Sequence, residues 1–292
     1  MRGAGDVAER PKHASVQDAP PFELTATAGR PHTPAGASSR QRPALSRFEL
    51  DIVDDNGERK VAVNDAHTVQ FAKLRPIRMP GDRNGQLHTS GFYLLATTGR
   101  HVFCESNLEK SCAMELDRDR EVVDVIAQPF RLRWREGQSG HNHSPDFLAL
   151  LNDGRLRVID VKPQRKFASE VFVRQTRATA EACRRLGWEY GIYAEPGTQR
   201  ARNLRLLATY RGGMCGYDSE RARALAAAAT PMSFGDAVRE TGLAPVIARP
   251  LIFELVWRRA LTINLDHPLG DATLMHAADT VIAAREGGGT DG

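Results

Sequence analysis

Residues 145–162 read Pro-Asp-Phe-Leu-Ala-Leu-Leu-Asn-Asp-Gly-Arg-Leu-Arg-Val-Ile-Asp-Val-Lys. Two apolar, β-prone runs, 146–151 and 156–162, flank Asn152-Asp153-Gly154, a turn sequence, and together they predict a β-hairpin. Residues facing each other across such a hairpin stand equally far from the centre of the turn. Asp146 and Asp160 are each seven positions from Asp153, so a three-residue connection sets the two carboxylates directly opposite, with Cβ atoms roughly 5 Å apart. Like charges so placed repel unless something neutralises them, and a divalent cation with oxygen ligands is the natural candidate. Lys162, two residues beyond Asp160, projects from the same face of the strand, where it can polarise a water. Against this stands the ordinary reading of Asp-x-Lys at a strand end, a solvated or salt-bridged pair.

The hairpin's neighbours predict an α/β core around it. Upstream, Ser106 precedes a helix marked by Leu108, Cys112, Met114 and Leu116. Ser106 and Glu109 form a capping box, in which the serine caps the helix and the glutamate reaches back to the serine's own amide. The same glutamate could instead aim into a metal site, and the residues leave both readings open. Glu105 is a second carboxylate within reach, ranked below it. The stretches 122–126 and 128–132 read as extended chain, 169–186 as a helix capped by Gly187, and 188–194 as a strand.

Farther out, 46–63 predicts a hairpin around Asp55-Asn56-Gly57, and 73–100 reads as a basic, loop-rich approach. Residues 1–45, rich in proline and without apolar period, predict a disordered arm. Beyond the Arg211-Gly212-Gly213 linker come helices over 219–229 and 234–240, a third opening at Pro250 and running to about Arg259, a strand over 261–265, and a return over 269–275. Three helices and a two-stranded wing predict a winged helix. The domain expectation is thus an arm (1–45), a catalytic α/β domain (46–210), a winged-helix-like domain (214–282) and a disordered tail (283–292).

Composition sets bounds without naming a function. The 292 residues carry a formal charge of +4, with 41% hydrophobic and 26% charged residues, which suits two compact domains and excludes collagen-like, coiled-coil and wholly disordered chains. The apolar stretch 222–229 is far short of the roughly 20 residues of a membrane span, and the polar start Met1–Arg10 shows no signal peptide, so the expected compartment is cytoplasmic, without membrane contact. Cys104, Cys112, Cys183 and Cys215 lack zinc-site spacing and read as reduced thiols. His141 and His143, two apart beside Asp146, could ligate a metal, but in a Gly-rich loop they read first as polar loop residues. Arg131, Arg133, Arg135, Arg165, Lys166 and Arg174 flank the hairpin and suit phosphate contacts.

The segments Cys104–Glu109, Gln128–Phe130, His143–Leu148 and Ile159–Pro163 together resemble the TnsA endonuclease subunit of heteromeric, TnsABC-type transposases, members of the PD-(D/E)xK nuclease superfamily. The resemblance spans about residues 90–200 and implies a restriction-endonuclease-like core, a mixed β-sheet flanked by helices, followed by a C-terminal winged helix. It assigns Glu109, Asp146, Asp160 and Lys162 as catalytic, the three carboxylates as ligands of Mg²⁺ with Mn²⁺ able to substitute, and Lys162 to orienting the water or screening the phosphate. The family position matching Asp160 can be glutamine, so aspartate here restores the commoner nuclease pattern. The implied activity is cutting double-stranded DNA at the 5′ ends of a transposon, beside a TnsB-like transposase and a TnsC-like ATPase. Two other readings stand beside it: a stand-alone restriction, defence or junction-resolving nuclease, and a non-enzymatic adaptor. The third winged-helix helix, with Arg249, Arg258 and Arg259 but also Glu254 and many apolar residues, leaves DNA contact and partner docking equally open.

Overall fold

The structure, a computed structural model, describes residues 23–24, 45–78 and 90–278. Along the chain, Glu23–Leu24 (β1) precedes the hairpin of Leu45–Asp54 (β2) and Gly57–Ala62 (β3). Asp54 pairs with Gly57 across a tight turn, and Gly57 takes φ +91°, a conformation costly for any residue with a Cβ. A second hairpin, Gly91–Leu94 (β4) and His101–Cys104 (β5), leads into Asn107–Arg118 (α1). Then follow Val122–Ala127 (β6), Arg131–Glu136 (β7), Ser139–His143 (β8), Phe147–Leu151 (β9), Leu156–Val161 (β10), Glu170–Leu186 (α2), Glu189–Tyr193 (β11) and Thr198–Ala208 (α3). The last stretch comprises Asp218–Ala227 (α4), Met232–Ser233 (β12), Phe234–Glu240 (α5), Pro245–Trp257 (α6), Leu261–Ile263 (β13) and Leu274–Ala277 (β14).

A mixed five-stranded sheet, in the order β1-β11-β10-β9-β6, organises the central region. Its β10 and β11 run parallel and its other pairs antiparallel. Strands β9 and β10 are apolar on both faces because both faces are covered. On one side Phe147, Ala149, Leu151, Ile159 and Val161 pack with Cys112, Ala113 and Leu116 of α1 and with Tyr93 and Val102 of the β4–β5 hairpin. On the other, Leu148, Val158 and Tyr190 meet Ala178, Ala182 and Cys183 of α2 and the inner face of a second sheet, β3-β2-β7-β8, through Leu50, Ile52, Leu132 and Trp134. Each large apolar side chain so enclosed contributes about 1.5–3 kcal/mol relative to exposure.

The hairpin register is the expected one. Leu156 pairs with Leu150 and Ile159 with Phe147, and Gly154 takes φ +86° in the turn. Ser106 caps α1 and Ser169 caps α2, and Gly187 closes α2 in the left-handed conformation at φ 68°. Other expectations change. Glu23 and Leu24, placed in a disordered arm, pair with Ile192 and Gly191 at the sheet edge; the rest of that arm and the tail 283–292 lie outside the described residues. Strand β8 was not expected, since Ser139-Gly140-His141-Asn142-His143 has no apolar alternation, and its extended state comes from five paired positions on β7. Strand β4 lies in the expected loop-rich stretch. Helix α6 starts at Pro245, not Pro250: Pro245 takes the first helical position, where its missing N–H is no loss, and Pro250 sits inside the helix. The return strand is Leu274–Ala277, where Met275 pairs with Ile263.

The C-terminal elements share one core. Leu204, Leu207 and Ala208 of α3 pack with Ala224, Phe234, Ala237, Ile252, Leu255 and Trp257, and with Leu261 and Met275 of the antiparallel sheet β12-β14-β13. Arg200 of α3 donates from Nε to Glu115 of α1 at 2.8 Å, and Asn203 donates to the carbonyls of Leu265 and His267. The 211–213 segment is held in place: Arg211 lies over the Tyr93 ring, and the Met214 amide donates to Glu254.

Candidate active site

Asp146 enters the site where the chain crosses from the four-stranded sheet to the five-stranded one. Its amide donates to Ile159 O at 3.1 Å, its carbonyl accepts from the Gln128 amide at 2.9 Å, and its Oδ2 accepts from the Val161 amide at 2.7 Å. Three backbone partners therefore hold the half-buried Asp146 at the mouth of the hairpin, one of them on the carboxylate itself. Burial, together with the negative charges of Asp160 and Glu109, pushes its pKa up to about 7; Lys162 and the Val161 amide pull the other way without prevailing.

Lys162 directly follows β10, its amide donating to Tyr193 O at 2.9 Å. Its ammonium charge acts on both Asp146 and Glu109. Glu109 rises from the first turn of α1 and is buried, which raises its pKa. Its Oε2 accepts from the Glu105 amide at 2.7 Å and its Oε1 from the Ser106 hydroxyl at 2.9 Å, while the Ser106 hydroxyl oxygen accepts from the Glu109 amide at 3.1 Å. The capping box therefore forms, but the glutamate reaches the amide of Glu105 instead of that of Ser106. Glu105 itself pairs with Arg78 at 2.9 Å.

Asp160 goes elsewhere. It is fully buried, with Oδ1 accepting from His143 Nε2 at 2.7 Å and Oδ2 accepting from the Tyr190 hydroxyl at 2.5 Å. Glu109 belongs to the α1 side of the sheet and Asp160 to the α2 side, so the two reach Asp146 from opposite faces. Among the described residues, no group of three or more His, Cys, Asp or Glu side chains stands ready to hold a metal ion. The donor chemistry fits a divalent cation at Glu109 and Asp146, two hard carboxylates whose mutual charge and burial a cation would relieve. It fits poorly at Asp160, which is wholly enclosed between His143 and Tyr190, whereas Glu109, whose oxygens also accept hydrogen bonds, keeps 9% exposure at the start of α1.

His143, expected to be a polar loop residue, is a buried partner of Asp160, and Tyr190 was not anticipated. The spacing of His143 to Asp146 carried no signal for this, since the contact joins two sheets. Of the expected phosphate-contacting residues, Arg135 lies on β7 opposite Gly140, and the other five divide into two groups. Arg133 donates to Asp51 at 2.6 Å and Arg131 stands 3.8 Å from the same carboxylate. Arg165 and Lys166, exposed on the short turn Gln164–Lys166 just after Lys162, and Arg174 on α2 make no ion pair among the described residues. All four cysteines are free thiols, three of them buried.

The α/β domain thus holds a carboxylate at the mouth of a β-hairpin, with a lysine directly after the partner strand and a glutamate on the adjoining helix. Residues 119–195 match the family model for the TnsA-like endonuclease N-terminal domain. The match includes Asp146, Asp160 and Lys162 and begins after Glu109. No curated protein matches the chain. Among the described residues, no helix is long and apolar enough to cross a membrane.

Proposed function

We propose that the protein is the metal-dependent DNA endonuclease subunit of a heteromeric transposase, cutting the 5′, non-transferred strand at transposon ends. The observation that carries this reading is the Val161 amide, next to Lys162, donating to Asp146 across one hairpin, inside the segment that matches the TnsA-like endonuclease model. Glu109, Asp146 and Lys162 form the catalytic set. Mg²⁺, or Mn²⁺ in its place, would be held by Glu109 and Asp146 and would supply Lewis acidity that acidifies water and offsets charge on the phosphate.

The protein's own part is positioning and electrostatics. Asp146 keeps its place through Val161, Ile159 and Gln128. The Lys162 ammonium, already acting on both carboxylates, faces the charge that grows on the scissile phosphate and orients the attacking water. Arg165, Lys166 and Arg174 meet the flanking DNA backbone, a contact that fixes register without reading sequence. Arg131 and Arg133 join them by exchanging Asp51 for phosphate.

The order helix, strand, helix, helix, strand, strand over 218–277, with one antiparallel three-stranded sheet, supports a winged-helix-like second domain. Its α6 buries most of its surface, and Arg249 and Arg258 are paired with Asp271 and Glu254, which favours docking to partner proteins over reading DNA. A TnsB-like transposase cutting the 3′ ends and a TnsC-like ATPase complete the machine. The test is cleavage of a supercoiled plasmid bearing transposon ends with Mg²⁺ or Mn²⁺, by the protein alone and with those partners. Cleavage at the 5′ ends that disappears in Asp146→Ala supports the reading; cleavage unchanged in that variant overturns it.

A further inference from the structure

We propose that Asp160 is not a metal ligand but a positioning residue: with His143 and Tyr190 it forms a buried tie that holds the segment delivering Asp146. The inference rests on the catalytic set proposed above. His143 ends β8 in the four-stranded sheet, whereas Asp160 and Tyr190 belong to adjacent strands, β10 and β11, of the five-stranded sheet. The Nε2–H of His143 donates to one oxygen of Asp160 at 2.7 Å and the Tyr190 hydroxyl donates to the other at 2.5 Å. The tie joins the two sheets three residues before Asp146, at the β8–β9 crossing that delivers it.

Burial makes this arrangement consequential. Asp160 and Tyr190 have no exposed surface and His143 has 7%. A carboxylate enclosed this completely keeps its place only if both oxygens are satisfied, because an unpaired one carries a large desolvation cost. Turning Asp160 toward a cation shared with Glu109 would strand the His143 and Tyr190 donors in the core. Glu109 also accepts two hydrogen bonds, from the Glu105 amide and the Ser106 hydroxyl, but it and Asp146 keep some exposure where Asp160 has none, so they are the carboxylates a cation can reach without breaking buried contacts. Hydrogen-bonded partners that orient a ligand in this way typically change metal affinity or activity about 10–100-fold when removed.

The experiment uses the full chain and separates the two roles by Mn²⁺ binding, followed by electron paramagnetic resonance, and by single-turnover plasmid cleavage. Asp160→Asn keeps an oxygen acceptor and nearly the same shape. It is expected to bind Mn²⁺ within about threefold of the wild type and to recover most of the cleavage that Asp160→Leu loses, while Asp146→Asn binds no Mn²⁺. His143→Leu, which removes no carboxylate, is expected to slow cleavage by about 10–100-fold at saturating Mn²⁺, and the His143→Leu/Asp160→Leu double variant to be no slower than the worse single one. Should Asp160→Leu not fold, His143→Leu and Tyr190→Phe carry the same comparison. Loss of Mn²⁺ binding in Asp160→Asn to the level of Asp146→Asn overturns the inference, and so does full cleavage by folded His143→Leu. A wild-type protein that neither binds Mn²⁺ nor cuts DNA overturns the proposed function itself, and that result is read from the wild type alone.

Discussion

The backbone amide of Val161 donates to Oδ2 of Asp146 at 2.7 Å. The last residue of β10, just before Lys162, thus fixes the carboxylate that precedes the neighbouring strand, and the two groups share one end of the hairpin.

Asp146→Asn preserves that contact, because the amide oxygen of asparagine also accepts from Val161. The variant is expected to fold with a melting temperature at or above that of the wild type and to lose cation binding and DNA cleavage. Thermal melts beside plasmid cleavage check this, and retained cleavage counts against Asp146 as ligand.

The raised pKa of Asp146 has a stability consequence in the metal-free protein. The folded state holds this proton to about pH 7, whereas the unfolded chain releases it near its ordinary 3.8. Its contribution to stability is therefore full below the unfolded value and is lost as pH rises through the folded one. The metal-free protein is expected to lose stability between about pH 4 and 7 from this residue, and Asp146→Asn to remove that part of the slope. Urea melts across the range, in chelator, provide the measurement.

Lys162→Met keeps the aliphatic stem and removes the charge. Cleavage is expected to fall by about 100-fold or more, with Mn²⁺ affinity retained or improved, since a cation would no longer meet a neighbouring ammonium. Loss of Mn²⁺ binding with loss of cleavage would show that Lys162 acts through the fold and not on the phosphate.

Glu109 and Ser106 separate capping from catalysis. Ser106→Ala removes the acceptor for the Glu109 amide and is expected to cost about 1 kcal/mol of stability with cleavage largely preserved. Glu109→Gln retains an oxygen acceptor for the Glu105 amide and is expected to keep stability and lose cleavage. If both variants show only a stability loss, Glu109 is a cap and nothing more.

Glu115 and Arg200 join α1 to α3 through a buried ion pair. Arg200→Met leaves the Glu115 carboxylate in the core, with the Arg118 guanidinium at 3.5 Å. A loss of about 3–5 kcal/mol follows for breaking a pair of this kind. The double variant Glu115→Met/Arg200→Met is expected to be more stable than Arg200→Met alone, as chemical denaturation can show.

Much of the local structure was legible in the chain. Asn152-Asp153-Gly154 between two apolar runs set the hairpin and its register, and Ser106, Ser169 and Gly187 marked helix ends, because turns and caps depend on residues close in sequence. The placement of Asp146 opposite Asp160 came from counting alone. Strand β8 and the true start of α6 were not legible: the first has no pattern of its own and is extended because β7 pairs with it, and the second offered two prolines in position to begin a helix.

What the sequence by itself determined is which residues meet along one hairpin and which helix begins beside it. The tertiary structure decided where each carboxylate's lone pairs go. Asp160 turned out to be engaged by His143 from another sheet and by Tyr190 from a parallel strand, contacts separated by 17 and 30 positions along the chain. No periodicity or motif encodes such a meeting; it exists only because two sheets pack face to face and leave a buried charge that must be satisfied there.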